Sequence, residues 1–452
     1  MLHKYLLNGY YIALDVNSGA VFSLDECSYT ILDLIEPPLN AVCPEYVIQG
    51  LKSKFSQIEI TESYDELFNL YLEGVLFSVD TYKELASKLG PAPIKSMCLN
   101  IAHDCNLRCG YCFASQGNFG HGKKLMSFDI GKAAIDFLIK HSAGRKNLEV
   151  DFFGGEPLLN FDSVKRIVAY ARNIEKLHNK NFRFTITTNG LLLNGDVIDF
   201  INREMSNIVL SIDGRKEIHD AFRFDCGGKG SYDSILPKYK ELIKSRTGKE
   251  YYVRGTYTRF NLDFSKDVEH LYQLGFDQIS VEPVVTASSE PYSITEYELP
   301  SIFSEYETLA KSIIELKSRG QHINFFHFML DLDQGPCALR RLRGCSCGNE
   351  YIAVTPEGDI YPCHQFVGLD EWKMGNVLVD GVNNGIKEYF AKATIYSKES
   401  CGNCWARFYC SGGCNANNYL YEGDTLNPHK VSCEIEKKRL ECAIMIKVAL
   451  GN

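Results

Sequence analysis

Apolar and polar positions change period along this chain in a way that divides it into three. Over residues 10–15 and 20–24 they alternate on either side of an Asn17-Ser18-Gly19 turn, which predicts a hairpin. A helical period follows over 28–35, stopped by Glu36-Pro37-Pro38, and again over 44–55 and 64–74, the last with Leu67, Leu70 and Tyr71 on one face. A hairpin with three helices is the layout of a winged-helix module. Gly90-Pro91-Ala92-Pro93 then breaks the chain. Beyond it, strand-like runs at 97–101, 148–153, 182–187, 207–212, 251–257 and 278–284 are separated by helical runs, the first at 127–141 and the last a long one at 296–319. Six βα repeats predict a parallel sheet with right-handed crossovers, curled into a partial barrel with its chemistry at the C-terminal strand ends. The remaining residues are rich in Cys and Gly and show little period. The predicted fold class is therefore α/β: a partial (β/α)6 barrel over 92–320, preceded by a winged-helix-like domain over 1–91 and followed by a Cys-rich domain over 321–452.

Composition narrows the function more than the fold. A chain of 452 residues with 45% hydrophobic content supports two to three domains and a large core. No apolar window reaches the length of a membrane span, and Met1-Leu2-His3-Lys4-Tyr5 lacks a signal-peptide pattern, so a cytoplasmic protein is expected. The net charge of −9, with no concentrated Lys/Arg block, speaks against a nucleic-acid partner. Seventeen cysteines in a chain without an export signal point to metal or cluster ligation rather than disulfides.

The first cysteine motif is Cys105-Asn106-Leu107-Arg108-Cys109-Gly110-Tyr111-Cys112, on the loop that leaves the first barrel strand. Three thiolates so close can wrap one corner of an iron–sulfur cluster and leave a fourth iron without a protein ligand. Zinc is the competing reading, but structural zinc closes with four ligands and favours paired CxxC steps. One βα unit later, Gly154-Gly155-Glu156-Pro157 offers backbone oxygens that a ligand can approach closely, and a carboxylate for an ammonium group. Thr187-Thr188-Asn189-Gly190 and Ser211-Ile212-Asp213-Gly214 end the third and fourth strands, with His219-Asp220-Ala221-Phe222-Arg223 after them.

This order of motifs resembles radical S-adenosylmethionine (SAM) enzymes. The resemblance implies that Cys105, Cys109 and Cys112 hold a [4Fe–4S] cluster whose open iron chelates SAM, and that reduction cleaves SAM to a 5′-deoxyadenosyl radical. It further implies a SAM pocket made by Tyr111, Gly154, Gly155, Glu156, Pro157, Thr188, Asn189, Ser211 and Asp213. Within it Glu156 faces the SAM amino group and Arg223 pairs with the carboxylate through its guanidinium fork. Glu282 and Val284, at the sixth strand, are expected along the adenine edge.

In the tail, Cys345 and Cys363 flank Gly358, and Cys401-x2-Cys404-x5-Cys410-x3-Cys414 is followed by Cys433. The pattern resembles the SPASM domain, which binds two auxiliary [4Fe–4S] clusters, making three clusters in all. Carried over, Cys401, Cys404, Cys410 and Cys433 hold one of them, while Cys345, Cys363 and Cys414 hold the other with one ligand missing. Cys337 or Cys347 is a candidate for that place, although Cys347, two residues from Cys345, strains chelation of one cubane by both. The alternative is an iron left open to a substrate thiolate. Of the other cysteines, Cys27, Cys43, Cys98 and Cys442 read as small buried hydrophobes, and Cys226 sits in a glycine-rich loop.

Residues 13–24 resemble the PqqD-like recognition element of peptide-modifying enzymes, which implies that the leader of a precursor peptide pairs as an added strand on the small sheet. Recognition element, radical SAM barrel and SPASM domain in one chain resemble the maturases of SCIFF peptides, Cys-rich precursors in which a cysteine sulfur is joined to a carbon of an acceptor residue. That resemblance implies reduced flavodoxin or ferredoxin as electron donor. Formylglycine-forming sulfatase maturation and carbon–carbon crosslinking are the rival enzymatic readings. A non-enzymatic iron–sulfur electron carrier is the rival from another class.

Overall fold

The computed structural model describes residues 1–332, 338–379 and 381–451. Its N-terminal part is a three-stranded antiparallel sheet in the order β1 (Leu2–Leu7), β2 (Tyr10–Asp15), β3 (Val21–Leu24). The sequence pattern predicts only the second and third strands. β1 is added through the two-residue Asn8-Gly9 turn, whose φ angles of 52° and 88° are those a tight hairpin demands. Helices Glu26–Ile31, Glu45–Leu51 and Gln57–Leu72 follow. The third starts earlier than its apolar stripe implies because Ser56 and Glu59 form a capping box, each side chain accepting from the other's backbone N–H.

β2 is covered on both faces. Ala13 joins Val47, Ile60, Tyr64 and Leu67 in a small core under the helices, whereas Ile12 and Leu14, one residue to either side, enter the main core of the protein. The N-terminal unit is thus fused to the rest by the alternation of a single strand.

The barrel strands are β4 (Ser96–His103), to which the short β5 (Lys124–Leu125) pairs antiparallel, β6 (Asn147–Gly154), β7 (Asn181–Thr188), β8 (Asn207–Ser211), β9 (Glu250–Tyr257) and β10 (Gln278–Pro283). β4, β6, β7, β8, β9 and β10 pair in that order, all parallel, matching the six predicted strands. β6 and β7 bury every second residue against the flanking helices, including Val150, Phe152, Phe184 and Ile186. A helix at Lys216–Phe222 is absent from the sequence reading, being short and polar.

The sheet does not stop at the barrel. β11 (Asn324–Phe325) pairs parallel with β10, and at the opposite edge β12 (Tyr351–Val354) pairs parallel with β4, continuing antiparallel into β13 (Asp359–Tyr361) and β14 (Gly375–Asn376). The Cys-rich tail therefore grows directly out of the barrel's first strand. The C-terminal helix Lys430–Ala449 packs on helix Leu299–Ser318 and on β1 and β2. There the Tyr5 hydroxyl donates to the Glu441 carbonyl at 3.0 Å and the His3 ring stacks on Trp405 at 3.7 Å. Arg407, buried in the tail, donates to Asn17 at 2.6 Å and to Asp80 at 3.2 Å, and Tyr396 donates to Asp80 as well. Among the described residues no helix is long and apolar enough to cross a membrane.

Two predictions follow from this packing. Asp80→Ala removes the carboxylate partner of the nearly inaccessible Arg407 (side-chain exposure 3%), and since Asp80 itself is 24% exposed the cost is about 1–3 kcal/mol. It is measured by denaturant unfolding and by faster proteolytic release of residues 1–91. Asp151, inside the barrel, has its carboxyl pushed up to about 7 by burial and by neighbouring Glu149. A folded-state pKa above the unfolded value gives stability that is full below pH ~4 and is lost as pH rises to about 7. Asp151→Asn is expected to flatten that slope in melting curves taken across the same window.

Candidate functional site

A cavity opens inside the barrel, with an empty volume of about 1140 Å³ including its mouth. It is lined by Cys105, Cys109, Cys112 and Tyr111 of the cysteine loop and by His364 and Gln365 of the tail, the His364 ring lying 5.8 Å from that of Phe113. The cysteine loop is set by main-chain bonds on both sides. Gly155 N–H donates to the Ala102 carbonyl at 2.7 Å and Glu156 N–H to Asp104 at 2.8 Å. From the far side, Arg108 N–H donates to Phe224 at 2.7 Å and Gly110 N–H to Phe222 at 2.9 Å. A Cβ at Gly155 would lie 2.1 Å from the Asp104 carbonyl oxygen, and one at Gly154 (φ 131°) would lie 2.4 Å from that of Ala102. Only glycine lets the second strand end approach the loop this closely.

Gly154, Gly155, Glu156, Thr188, Asn189, Ser211, Arg223, Glu282 and Val284 all line the cavity, as the sequence predicts. Pro157 and Asp213 do not. Pro157 is buried at the start of a short turn, Pro157–Asn160, and acts only to end the strand. Asp213 lies behind the wall with both oxygens in use. Oδ2 accepts from the Tyr111 hydroxyl at 2.5 Å and from Arg223 Nε at 2.9 Å, and Oδ1 accepts from Thr256 N–H at 3.0 Å. It is the support for two cavity residues rather than a ligand contact.

The roles of three other residues shift as well. The Glu156 carboxylate accepts from Thr188 Oγ1 and from Asn189 N–H, each at 2.8 Å, and from Leu158 N–H at 3.0 Å, so about one of its four acceptor positions is left for an ammonium. Burial pushes this carboxyl up to about 7 against the pull of those three donors. Asn189 spends its side-chain donor on Asn106 Oδ1 at 2.8 Å and on the Cys105 sulfur at 3.6 Å, not on the open cavity. Glu282 presents a charge rather than an apolar edge. Burial would raise its pKa, but Arg254 at 2.7 Å, His327 and Arg439 hold it at about 2.

Cavity residues that the sequence reading missed are Arg254, Thr256, Phe113, Phe153, His364 and Gln365. His364 and Gln365 directly follow the predicted ligand Cys363, which was the one available signal. Arg254 sits mid-strand in β9 and carries none.

The tail cysteines gather in two groups. Cys401, Cys404, Cys410 and Cys433 influence one another electrostatically, burial raising the pKa of Cys410 and Cys433. Cys345, Cys363 and Cys414 form the other group, and Cys347 lies close enough for its thiol and that of Cys345 to push each other's pKa apart, Cys345 down and Cys347 up. Cys347 also accepts from Asn415 Nδ2 at 3.2 Å. The structure thus brings a fourth thiol to the site where the sequence pattern leaves one missing, while Cys337 lies outside the described residues. Gln365 Oε1 is 3.7 Å from the Cys414 sulfur, so this group borders the cavity. Cys27, Cys43, Cys98 and Cys442 are buried as expected, and Cys226 is exposed.

The donor sets fit clusters better than single ions. Thiolates on one zinc stand ~3.8 Å apart, from Zn–S bonds of ~2.3 Å in a tetrahedron. Among the described residues no three Cys, His, Asp or Glu are grouped closely enough to hold one metal ion. Cubane irons, spread over a wider frame, suit thiols that share a cavity without touching.

The Asp213 support gives a prediction. Asp213→Ala leaves the Arg223 guanidinium buried without its partner and frees Tyr111. SAM binding measured by equilibrium dialysis on the reconstituted protein is expected to weaken by at least about tenfold, or ~1.4 kcal/mol.

Comparison with known proteins bears on these sites. The Radical SAM superfamily model matches residues 99–257, and the SPASM model, an iron–sulfur cluster-binding domain, matches residues 345–405. An uncharacterized protein of Methanocaldococcus jannaschii is 32% identical over 290 residues, covering 63% of this chain and 89% of that protein. A cysteine-type anaerobic sulfatase-maturating enzyme of Clostridium novyi (strain NT) is 27% identical over 336 residues, covering 70% and 86%. Among solved structures, native anSMEcpe with bound AdoMet and Kp18Cys peptide has a TM-score of 0.66 at 21% identity, covering 80% of this chain and 100% of that one. Streptococcus suis SuiB bound to precursor peptide SuiA has a TM-score of 0.54 at 17% identity, covering 95% and 98%. At these identities the two structures speak for the fold alone. The cofactors are SAM, the cluster that binds it, and auxiliary [4Fe–4S] clusters. With a glycine-clamped three-cysteine loop at the mouth of a parallel barrel and a Cys-rich extension on the same sheet to match these comparisons, the chain belongs to the radical SAM superfamily and carries a SPASM domain towards its C-terminal end.

Proposed function

We propose that the protein matures a ribosomally made, Cys-rich precursor peptide of the SCIFF type by forming a thioether between a cysteine sulfur and a carbon of an acceptor residue. The observation that carries this reading is a cavity shared by two cysteine groups: Cys105, Cys109 and Cys112 line it, and so do His364 and Gln365, which adjoin Cys363 and Cys414. A peptide between them meets a radical source on one side and a site for its thiolate and an electron on the other.

When bound, the cluster and SAM supply a 5′-deoxyadenosyl radical. Forming the thioether would remove one hydrogen atom from the acceptor carbon, one proton from the cysteine thiol and one further electron, for which the clusters would be the acceptor. The chain's own residues position and exclude. Tyr111 and Arg223 are fixed by Asp213, Glu156 keeps an acceptor for the SAM ammonium, and Phe113, Phe153 and Val284 line the space with apolar surface. Cys345, Cys363 and Cys414 would hold an auxiliary cluster with an iron available to the substrate thiolate, Cys347 being the protein sulfur that would have to give way to it.

Residues 1–91 serve as the leader-binding element. Among the described residues β3 pairs with β2 alone, and Val21 and Ser23 line a groove with Leu332 and Val448 where an added strand would lie, whereas β1 lies against the C-terminal helix. The likeness to SuiB, a protein solved with its precursor peptide, runs over 95% of the chain and so supports a peptide partner for the N-terminal unit as well. The second reading, oxidation of a protein cysteine to formylglycine, is favoured by the identity to the Clostridium novyi enzyme.

The test is anaerobic turnover of the reconstituted protein with SAM, a reductant and the precursor peptide encoded beside its gene. 5′-Deoxyadenosine and a peptide two hydrogens lighter, with a thiol consumed at a Cys–acceptor pair, are expected. An aldehyde in place of the thiol favours the sulfatase-type reading, and a peptide of unchanged mass overturns both. Cys414→Ala is expected to keep SAM cleavage while reducing crosslinked product by at least about tenfold, the scale on which loss of one positioned group acts in catalysis.

A further inference from the structure

We infer that Asn189 is a positioning residue for the SAM-binding cluster, raising its reduction potential by donating a hydrogen bond to the sulfur of Cys105. This goes beyond the peptide reading and does not depend on it, since it concerns only the cluster.

The carboxamide of Asn189 has one possible orientation. Its Oδ1 accepts from Leu191 N–H at 3.1 Å, which turns Nδ2 toward Asn106 Oδ1 at 2.8 Å and the Cys105 sulfur at 3.6 Å. The main chain of Asn189 is pinned too, its N–H donating to Glu156 Oε2 at 2.8 Å, and the residue is only 7% exposed. Leu107 N–H adds a second donor to the same sulfur at 3.4 Å. Among the described residues the sulfurs of Cys109 and Cys112 receive no side-chain donor. The three thiols therefore differ, and the difference comes from one amide at the end of a strand 84 positions away in sequence.

An N–H donor stabilises negative charge on a thiolate, and reduction adds one electron's charge to the cluster that the thiolate ligates. Donors to cluster sulfurs accordingly favour the reduced form, and they count for more in a site shielded from water, where no solvent dipole can take their place. Because Asn189 is tied through its own backbone to Glu156, the donor is held in place by the group that faces the SAM ammonium.

The experiment is an EPR-monitored redox titration of the full-length, reconstituted protein, with the SAM-binding cluster distinguished from the auxiliary ones by the change SAM causes in its signal. In Asn189→Leu the donor is lost, and the reduction equilibrium is expected to fall by about tenfold, ~59 mV for one electron. Asn189→Asp, which keeps the shape and replaces the donor by an acceptor, is expected to fall further. Asn106→Ala, which removes the amide's other acceptor but keeps the N–H beside sulfur, is expected to stay within threefold of the native protein. Potentials within threefold of native in both Asn189 variants overturn the inference. So does loss of the SAM-responsive signal from both, which would make the amide a clamp for the cysteine loop and not a tuner of its potential.

Discussion

One buried carboxylate, Asp213, ties together the parts on which the site depends. Tyr111 comes from the cysteine loop, Arg223 from the end of the helix after β8, and Thr256 from β9, and all three donate to its two oxygens. A buried ion pair of this kind is not kept for stability, since well-packed apolar groups can serve a core as well. Its effect is orientation. Arg223 cannot swing away from the cavity without leaving a charge unpaired in the interior, and the loop cannot shift without breaking the tyrosine contact. The glycines of 154 and 155 complete the arrangement from the other side by letting β6 close on the same loop.

The same economy appears at Glu156. Its carboxylate closes the gap between the second and third strand ends by accepting from Thr188 and Asn189, and Asn189 in turn reaches Cys105 of the three-cysteine loop. Ligand pocket and metal loop are therefore one hydrogen-bonded network, and a change in either is felt in the other.

Much of this was legible in the sequence because the barrel is built from strands whose alternation is strict. β6 and β7 expose and bury residues in turn, and their polar ends carry recognisable motifs. β1 was not legible because it is half-buried along most of its length, lying between β2 and the C-terminal helix, so its residues do not sort into two faces. The hydrogen-bond partners of Asp213 and Asn189 were not legible for a different reason. Motif position says which loop a side chain belongs to, but whether it faces the ligand or its neighbours depends on groups up to about a hundred positions away, such as Tyr111 for Asp213. Arg254 is the clearest case, its partner Glu282 coming from the next strand and its other neighbours from the tail. The grouping of the tail cysteines was expected from the resemblance to the SPASM domain, since spacing alone would put Cys414 with Cys401, Cys404 and Cys410.

The pairing of β12 with β4 has a geometric consequence. Tyr351, four residues beyond Cys347, lies beside Ser96 at the start of β4, while Cys105 follows His103 at its end. The two metal-binding regions are thus hung from opposite ends of one strand of eight residues, roughly 23 Å at ~3.3 Å per residue. β4 acts as a ruler. Lengthening or shortening it by one residue would alter the gap that a reacting molecule has to bridge and, in the same stroke, turn every inward side chain outward. With all eight of its residues buried, the strand is fixed in side chains as well as in length.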